Sequence, residues 1–204
     1  MAGVIKVGAV AYDPKVVTIW EGLRDYFRSR SVETDYLLFS NYDAQVDALL
    51  EHTIDIAWNT NLAYVKVFRR TGGRCQALAM RDTDIGFTTK IIARAGSGIE
   101  KIEDLKGKRV AFGSRDSGQA AILPAYFLRR LGIDPERDLR LIRFDLDVGK
   151  HGDTGTSEVE VLRAVAGGQA DGGAIGDQYW ARALGEGLAE TAKVKAIWTS
   201  PGYC

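Results

Sequence analysis

The feature that most constrains this chain is a repeated switch of apolar period, from every second residue to every third or fourth and back. Such switching marks an α/β protein. Residues 4–10 read as a buried strand, and Asp13-Pro14 as a cap with proline at the first helical position. Val16, Ile19, Trp20, Leu23, Tyr26 and Phe27 then form the core-packing stripe of a helix running to about residue 28. Strands are predicted near 33–39, 54–58 and 75–80, with helices over 43–51 and from a cap at Asn61 to about 69. The polar stretch 81–89 follows, and then the pattern starts afresh. It predicts strands at 90–93, 109–112, 139–144, 173–175 and 194–198. Between them it predicts a helical turn at 102–105 and helices at 117–131, 158–166 and 177–184. The restart near residue 85 predicts two α/β lobes, 1–84 plus 199–204 and 85–198, joined by strands with a ligand cleft between them.

Charge excludes several partners. Lys plus Arg and Asp plus Glu number 27 each in 204 residues, so the chain has no net charge. Nucleic-acid and anionic-membrane binders carry excess basic charge, and neither partner is expected here. An anionic ligand must therefore be held by directed donors. Two cysteines, Cys75 and Cys204, and two histidines are too few for a disulfide scaffold or a zinc site. No metal or cofactor is expected, and the two cysteines are expected in one lobe or its hinge, as two ordinary buried thiols in preference to a disulfide. No apolar run approaches the roughly 20 residues of a transmembrane helix. The amino terminus lacks the charged and apolar regions of a signal peptide. The chain then reads as cytoplasmic, or as periplasmic or cell-envelope with its signal removed.

Four segments concentrate groups able to do chemistry. Residues 110–119 run from strand through a polar loop into a helix, where Ser114, Ser117, Gly118 and Gln119 would offer hydroxyls and helix-start N–H groups to an oxyanion. The equal alternative is that Ser117 only caps its helix, and Pro124 threatens to shift that helix start. Residues 149–158 form a second glycine- and hydroxyl-rich loop in which Thr156 or Ser157 suits a cap. There His151 is either an anion donor or an exposed loop residue. Asn59, Thr60 and Asn61 fall at a strand end, where open α/β sheets take ligands, or Asn61 merely caps. Asp177 is placed alike and either receives an amine or caps its own helix. No catalytic set is legible: GxSxG, GxGxxG and P-loop patterns are absent.

Several stretches together resemble one family, in order along nearly the whole chain. They are Asp55-Ile-Ala-Trp58 with Asn61-Leu62, Leu105-Lys-Gly-Lys-Arg-Val-Ala-Phe-Gly113 with Ser117-Gly118, Gly167-Gly-Gln-Ala-Asp171, and Ile197-Trp-Thr-Ser-Pro201. This resembles the phosphonate, phosphite and phosphate solute-binding proteins of bacterial ABC importers, which have the two-lobed type 2 periplasmic-binding-protein fold. The resemblance implies a non-catalytic protein that closes on a small oxyanion and delivers it to a membrane permease. It implies ligand contacts at Tyr12, Asn59, Ser114, Ser117, Gly118, Gln119, His151 and the strand end near Asp177, and the helix start at Thr156 and Ser157 is expected to converge with them on one cleft. The chain departs from the family pattern in a thinned serine-rich loop, in Asn59 where a tyrosine is frequent, and in its 150–156 loop. Family members usually run longer, so the expectation is either a minimal lobe or, in preference, a fragment. Two rivals share the scaffold: a cytosolic enzyme of the menaquinone- or thiamine-pathway type, and the effector domain of a transcription regulator.

Overall fold

In the computed structural model, which describes residues 3–188 and 190–204, the chain divides into two compact units. The first comprises Met1–Leu78 with Gly149–His151, and the second Ala79–Val148 with Gly152–Cys204.

The first unit holds β1 (Ile5–Val10), α1 (Lys15–Arg28), β2 (Thr34–Phe39), α2 (Tyr42–Leu50), β3 (Ile56–Ala57) and α3 (Asn61–Arg70). Its sheet is wholly parallel, in the order β2-β1-β3. Alternation along β1 splits the core between two faces, since successive side chains point opposite ways. Val10 packs with Tyr42, Val46, Ala63 and Val67 of α2 and α3. Ala9 packs on the other face with Val16 and Trp20 of α1. Tyr26 and Phe27, expected in that core, lie at the surface instead. Both sit in the last turn of α1, and Tyr26 stacks under the Arg30 guanidinium.

The second unit holds β4 (Thr89–Arg94), β5 (Arg109–Phe112), α4 (Leu123–Arg130), α5 (Pro135–Asp138), β6 (Arg140–Arg143), α6 (Thr156–Ala166), β7 (Gly172–Gly176), α7 (Asp177–Gly185) and β8 (Val194–Thr199). Five strands run in the order β6-β5-β7-β4-β8, with β4 antiparallel to its neighbours. The same alternation buries Ile91, Val110, Phe112 and Ala174 under α4, and Ile92, Ala111 and Ile175 under α6 and α7.

The family-like stretches that recur most widely are structural here. Asp171 welds β7 to β5: its carboxylate accepts from Arg109 N–H at 3.0 Å and from the Arg109 guanidinium at 2.9 Å. The hydrogen bonds from Arg109 hold the Asp171 carboxyl below the usual carboxylate range.

Three expectations fail on pairing. Residues 75–80 form no strand, because a strand needs a ladder partner and this segment has none among the described residues; Leu78 and Met80 are exposed. Residues 199–204 belong to the second unit, not the first: Ser200 N–H bonds Thr89 O at 2.9 Å and Tyr203 N–H bonds Phe87 O at 2.9 Å, continuing the β4–β8 pairing. Cys75 and Cys204 consequently fall in different units, half-buried and exposed respectively rather than buried, and neither is in a disulfide.

Pro124 does disturb its helix. It cannot donate to the carbonyl four residues back, and the chain answers with a wider π-turn over Gly118–Ile122 before α4 begins. The released carbonyls find other donors. Ala120 O accepts from Gly113 N–H at 3.0 Å, and Gln119 O accepts from the Thr89 hydroxyl. Ser117 remains the cap, its Oγ accepting from Ala120 N–H at 3.1 Å.

Candidate functional site

In the first unit, parallel pairing puts the carboxyl ends of β1, β2 and β3 on one edge, the edge where open α/β sheets take ligands. Half-buried Tyr12 follows β1, Asn41-Tyr42 follow β2, and Asn59-Thr60 follow β3. Residues 149–151 join this edge. Gly149 O accepts from Tyr42 N–H at 3.0 Å, and Lys150 Nζ donates to Ala11 O at 2.7 Å. The His151 ring stacks on Tyr42 with centroids 4.6 Å apart, and its Nδ1 lies 2.7 Å from Thr60 Oγ1. Thr60 also accepts from Ala63 N–H at 3.2 Å, so Thr60 is the cap of α3 that spacing assigned to Asn61. His151 is no exposed loop residue: it is 3% exposed. Its backbone is left-handed at φ 54, a conformation that persists in a side-chain-bearing residue only when its surroundings over-determine it. The Tyr42 stack and the Thr60 bond supply that constraint. In the neutral ring whose Nδ1 accepts from the Thr60 hydroxyl, the proton sits on Nε2.

In the second unit, Ser114 and Ser117 are fully buried at the end of β5. Ser114 Oγ donates to Phe144 O at 3.3 Å and accepts from Asp147 N–H at 3.2 Å, tying its loop to the one after β6. Gln119 Nε2 donates to Gly152 O at 3.1 Å, so the two glycine-rich loops touch. Thr156 and Ser157 are the first two residues of α6 and do not cap it. The cap is Gly155 at φ 68, a left-handed backbone that suits glycine, and Ser157 is buried. Asp177 opens α7 and pairs with Lys90 Nζ at 3.0 Å, a structural partner already in place.

Glu158 escaped the sequence reading. It is 2% exposed, and Oε1 accepts from Gly176 N–H at 2.5 Å. Burial pushes its carboxyl up to about 7, against the opposing pull of the Gly176 N–H, the Gln119 amide and Arg182. The Tyr179 phenol is likewise pushed up, by burial and then by the Glu158 charge. Its signal was legible: Glu158, Val161, Leu162 and Val165 share one inward stripe of α6. Gln45 is the same kind of residue, a polar member of the Tyr42–Val46–Leu49 stripe of α2. Among the described residues, no group of three or more His, Cys, Asp or Glu side chains is placed to hold a metal ion. Among them also, no helix is long and apolar enough to cross a membrane.

Two α/β units with these sheet orders define the fold of the two-lobed periplasmic binding proteins, and solved structures share it. PhnD1 from Prochlorococcus marinus (MIT 9301), in complex with methylphosphonate, matches with a TM-score of 0.69 at 24% identity over 98% of this chain and 73% of that one. A binding-protein component of an ABC phosphonate transporter from Pseudomonas aeruginosa matches with a TM-score of 0.61 at 20% identity, over 98% and 66% of the two chains. Residues 8–204 match the family model "ABC transporter, phosphonate, periplasmic substrate-binding protein", and the chain belongs to that family. In sequence it is 25% identical over 186 residues to the probable ABC transporter phosphite binding protein PhnD1 of Prochlorococcus marinus, over 88% of this chain. It spans 59% of that relative's length. The proteins it resembles are transport components, not enzymes.

Proposed function

We propose that this chain captures a small tetrahedral oxyanion, a phosphonate, phosphite or phosphate, for an ABC importer, and that it catalyses no reaction. The observation that carries the reading is the reach of the family match: residues 8–204 take in the polar strand ends of both units. The chemistry agrees. The chain has no net charge to attract an anion, so affinity must come from directed donors. Charge-assisted hydrogen bonds of about 1.5–3 kcal/mol each bring a few such donors to micromolar affinity after association costs. Tyr12, Asn59 and His151 are the assigned donors of the first unit. The Ser114–Gln119 loop and the Thr156-Ser157 helix start are those of the second, and Asp177 is assigned to any ammonium the ligand carries. The family's periplasmic description supports a working place in the periplasm or cell envelope, with a membrane permease as the proposed partner.

Calorimetry with phosphate, phosphite, methylphosphonate, aminoethylphosphonate and sulfonates tests this. At least one should bind at micromolar concentration, and Ser117→Ala should weaken it. A folded protein that binds none below millimolar overturns the reading. Unchanged affinity in Ser117→Ala removes that helix start from the site while leaving the function standing. One observation favours the enzyme rival: a buried carboxyl near 7 is the kind of group that acid–base catalysis uses. Glu158 is instead bound to the Gly176 N–H. The rival requires turnover that Glu158→Gln abolishes.

A further inference from the structure

Gln45 is fully buried, and its side-chain nitrogen makes two bonds. Nε2 donates to Trp58 O at 3.0 Å and to Asn59 Oδ1 at 2.7 Å. Which end of each amide points where follows from a group that cannot be inverted. The Trp58 carbonyl only accepts, so the Gln45 atom facing it must be nitrogen. That nitrogen only donates, so the Asn59 atom at 2.7 Å must be the oxygen. The Asn59 amino group is therefore the end directed away from Gln45.

Gln45 is not placed for stability. Its Oε1 is buried with no partner among the described residues, and a buried orphan acceptor carries a desolvation cost that an apolar residue of the same length would avoid. The surroundings nevertheless hold it in place. Asn41 caps the helix by accepting from Ala44 N–H at 2.9 Å, and Val46 sits in the core beside it. Gly8 of β1 leaves the space: a Cβ there would lie 3.4 Å from Gln45 Cγ and would clash with Ile54.

We infer that Gln45 is a positioning residue that locks the Asn59 amide with its donors outward, so that this strand end accepts oxyanions and discriminates against ligand groups that donate. The inference rests on the proposed assignment of Asn59 to the ligand. An unpinned asparagine presents either its oxygen or its nitrogen to an incoming group. A pinned one presents only the nitrogen and pays no ordering cost on binding.

The test is a double-mutant cycle in the full chain, with phosphite and methylphosphonate as calorimetric probes and thermal melting as the folding control. Gln45→Met removes both donors at constant length and should weaken binding about tenfold, a loss of about 1.4 kcal/mol. Asn59→Ala should weaken it at least as much, and adding Gln45→Met to Asn59→Ala should cost nothing further. Gln45→Glu inverts the Asn59 amide by presenting only acceptors to it, and should weaken binding more than Gln45→Met does. Equal losses from Gln45→Met in both backgrounds overturn the inference, because a merely structural residue acts regardless of Asn59. Unchanged affinity in Gln45→Met overturns it too. If the wild type binds and Asn59→Ala is silent, the inference falls and the proposed function stands. If the wild type binds neither probe nor any other oxyanion, both fall.

Discussion

The two units reach similar polar strand ends by different means. In the first, side chains hold the starts of α2 and α3, though not of α1: Asn41 accepts from Ala44 N–H, and Thr60 accepts from Ala63 N–H while contacting His151. In the second, α6 and α7 follow glycines with no side-chain cap, while Ser117 caps with its hydroxyl and Asp134 caps α5 by accepting from Glu136 N–H. Cores differ in parallel. The first unit splits a small core across three parallel strands, whereas the second sandwiches five strands between helices. At the strand ends that carry the candidate residues the emphasis differs: the starts of α2 and α3 are organised by side chains, while those of α6 and α7 present backbone and glycine directly.

The largest expected effect separates the two cores. Phe112 is fully buried in the second unit, and Phe112→Ala should cost about 3–5 kcal/mol by cavity formation. Hydrogen exchange should show the loss of protection confined to β4–β8 and their helices. If β1–β3 lose protection equally, the units are one cooperative body and the comparison fails.

Next is the pH response, which only the second unit should show through a buried acid. Glu158 titrates near 7 in the folded chain against an ordinary value of 4.5. The folded state therefore holds its proton longer than the unfolded state, and stability falls as pH rises from about 4.5 to 7, then levels off. The full shift corresponds to at most about 3 kcal/mol. Glu158→Gln keeps an acceptor for Gly176 N–H and should flatten the melting temperature across that window, gaining stability at pH 8 and little at pH 4. A wild-type melting temperature independent of pH between 4.5 and 7 would contradict the buried acid.

The caps sharpen the contrast at a smaller scale. Thr60→Ala removes the α3 cap and the His151 contact together, and should cost about 1–2 kcal/mol in chemical denaturation. Ser117→Ala should cost a similar amount, while Gly155→Ala should destabilise through its left-handed backbone alone. Equal tolerance of all three would deny that the units organise their helix starts differently. The smallest effect is at the surface. Arg70 and Asp47 form a half-exposed pair between α2 and α3, and Arg70→Ala should change stability by no more than about 0.5 kcal/mol.

Much of the fold was legible because local pattern and tertiary outcome agreed. The turn at 102–105 and the strand at 109–112 fall where periodicity put them, and the second unit's other strands differ by a residue or two at their ends. The candidate site was legible only as segments. Tyr12, Asn59, Ser117 and Asp177 do lie at strand ends, since strand followed by helix implies such an end. Their partners did not follow from the chain. Asp177 meets Lys90, His151 meets Tyr42 and Thr60, and Asn59 meets Gln45, all across distances in sequence that no local pattern spans.

Alternation of apolar period, glycine stops and absent net charge decided the class of fold, the order of its elements and the need for directed donors. These are properties of neighbouring residues and of totals, which exist before folding. Tertiary structure alone decided which of Thr60 and Asn61 caps, that Gly155 rather than Thr156 or Ser157 opens α6, that 75–80 stays unpaired, and that Glu158 is buried deep enough to titrate near 7. Each of these depends on what a distant segment places beside the residue. Strand pairing, desolvation and amide orientation are set by neighbours in space.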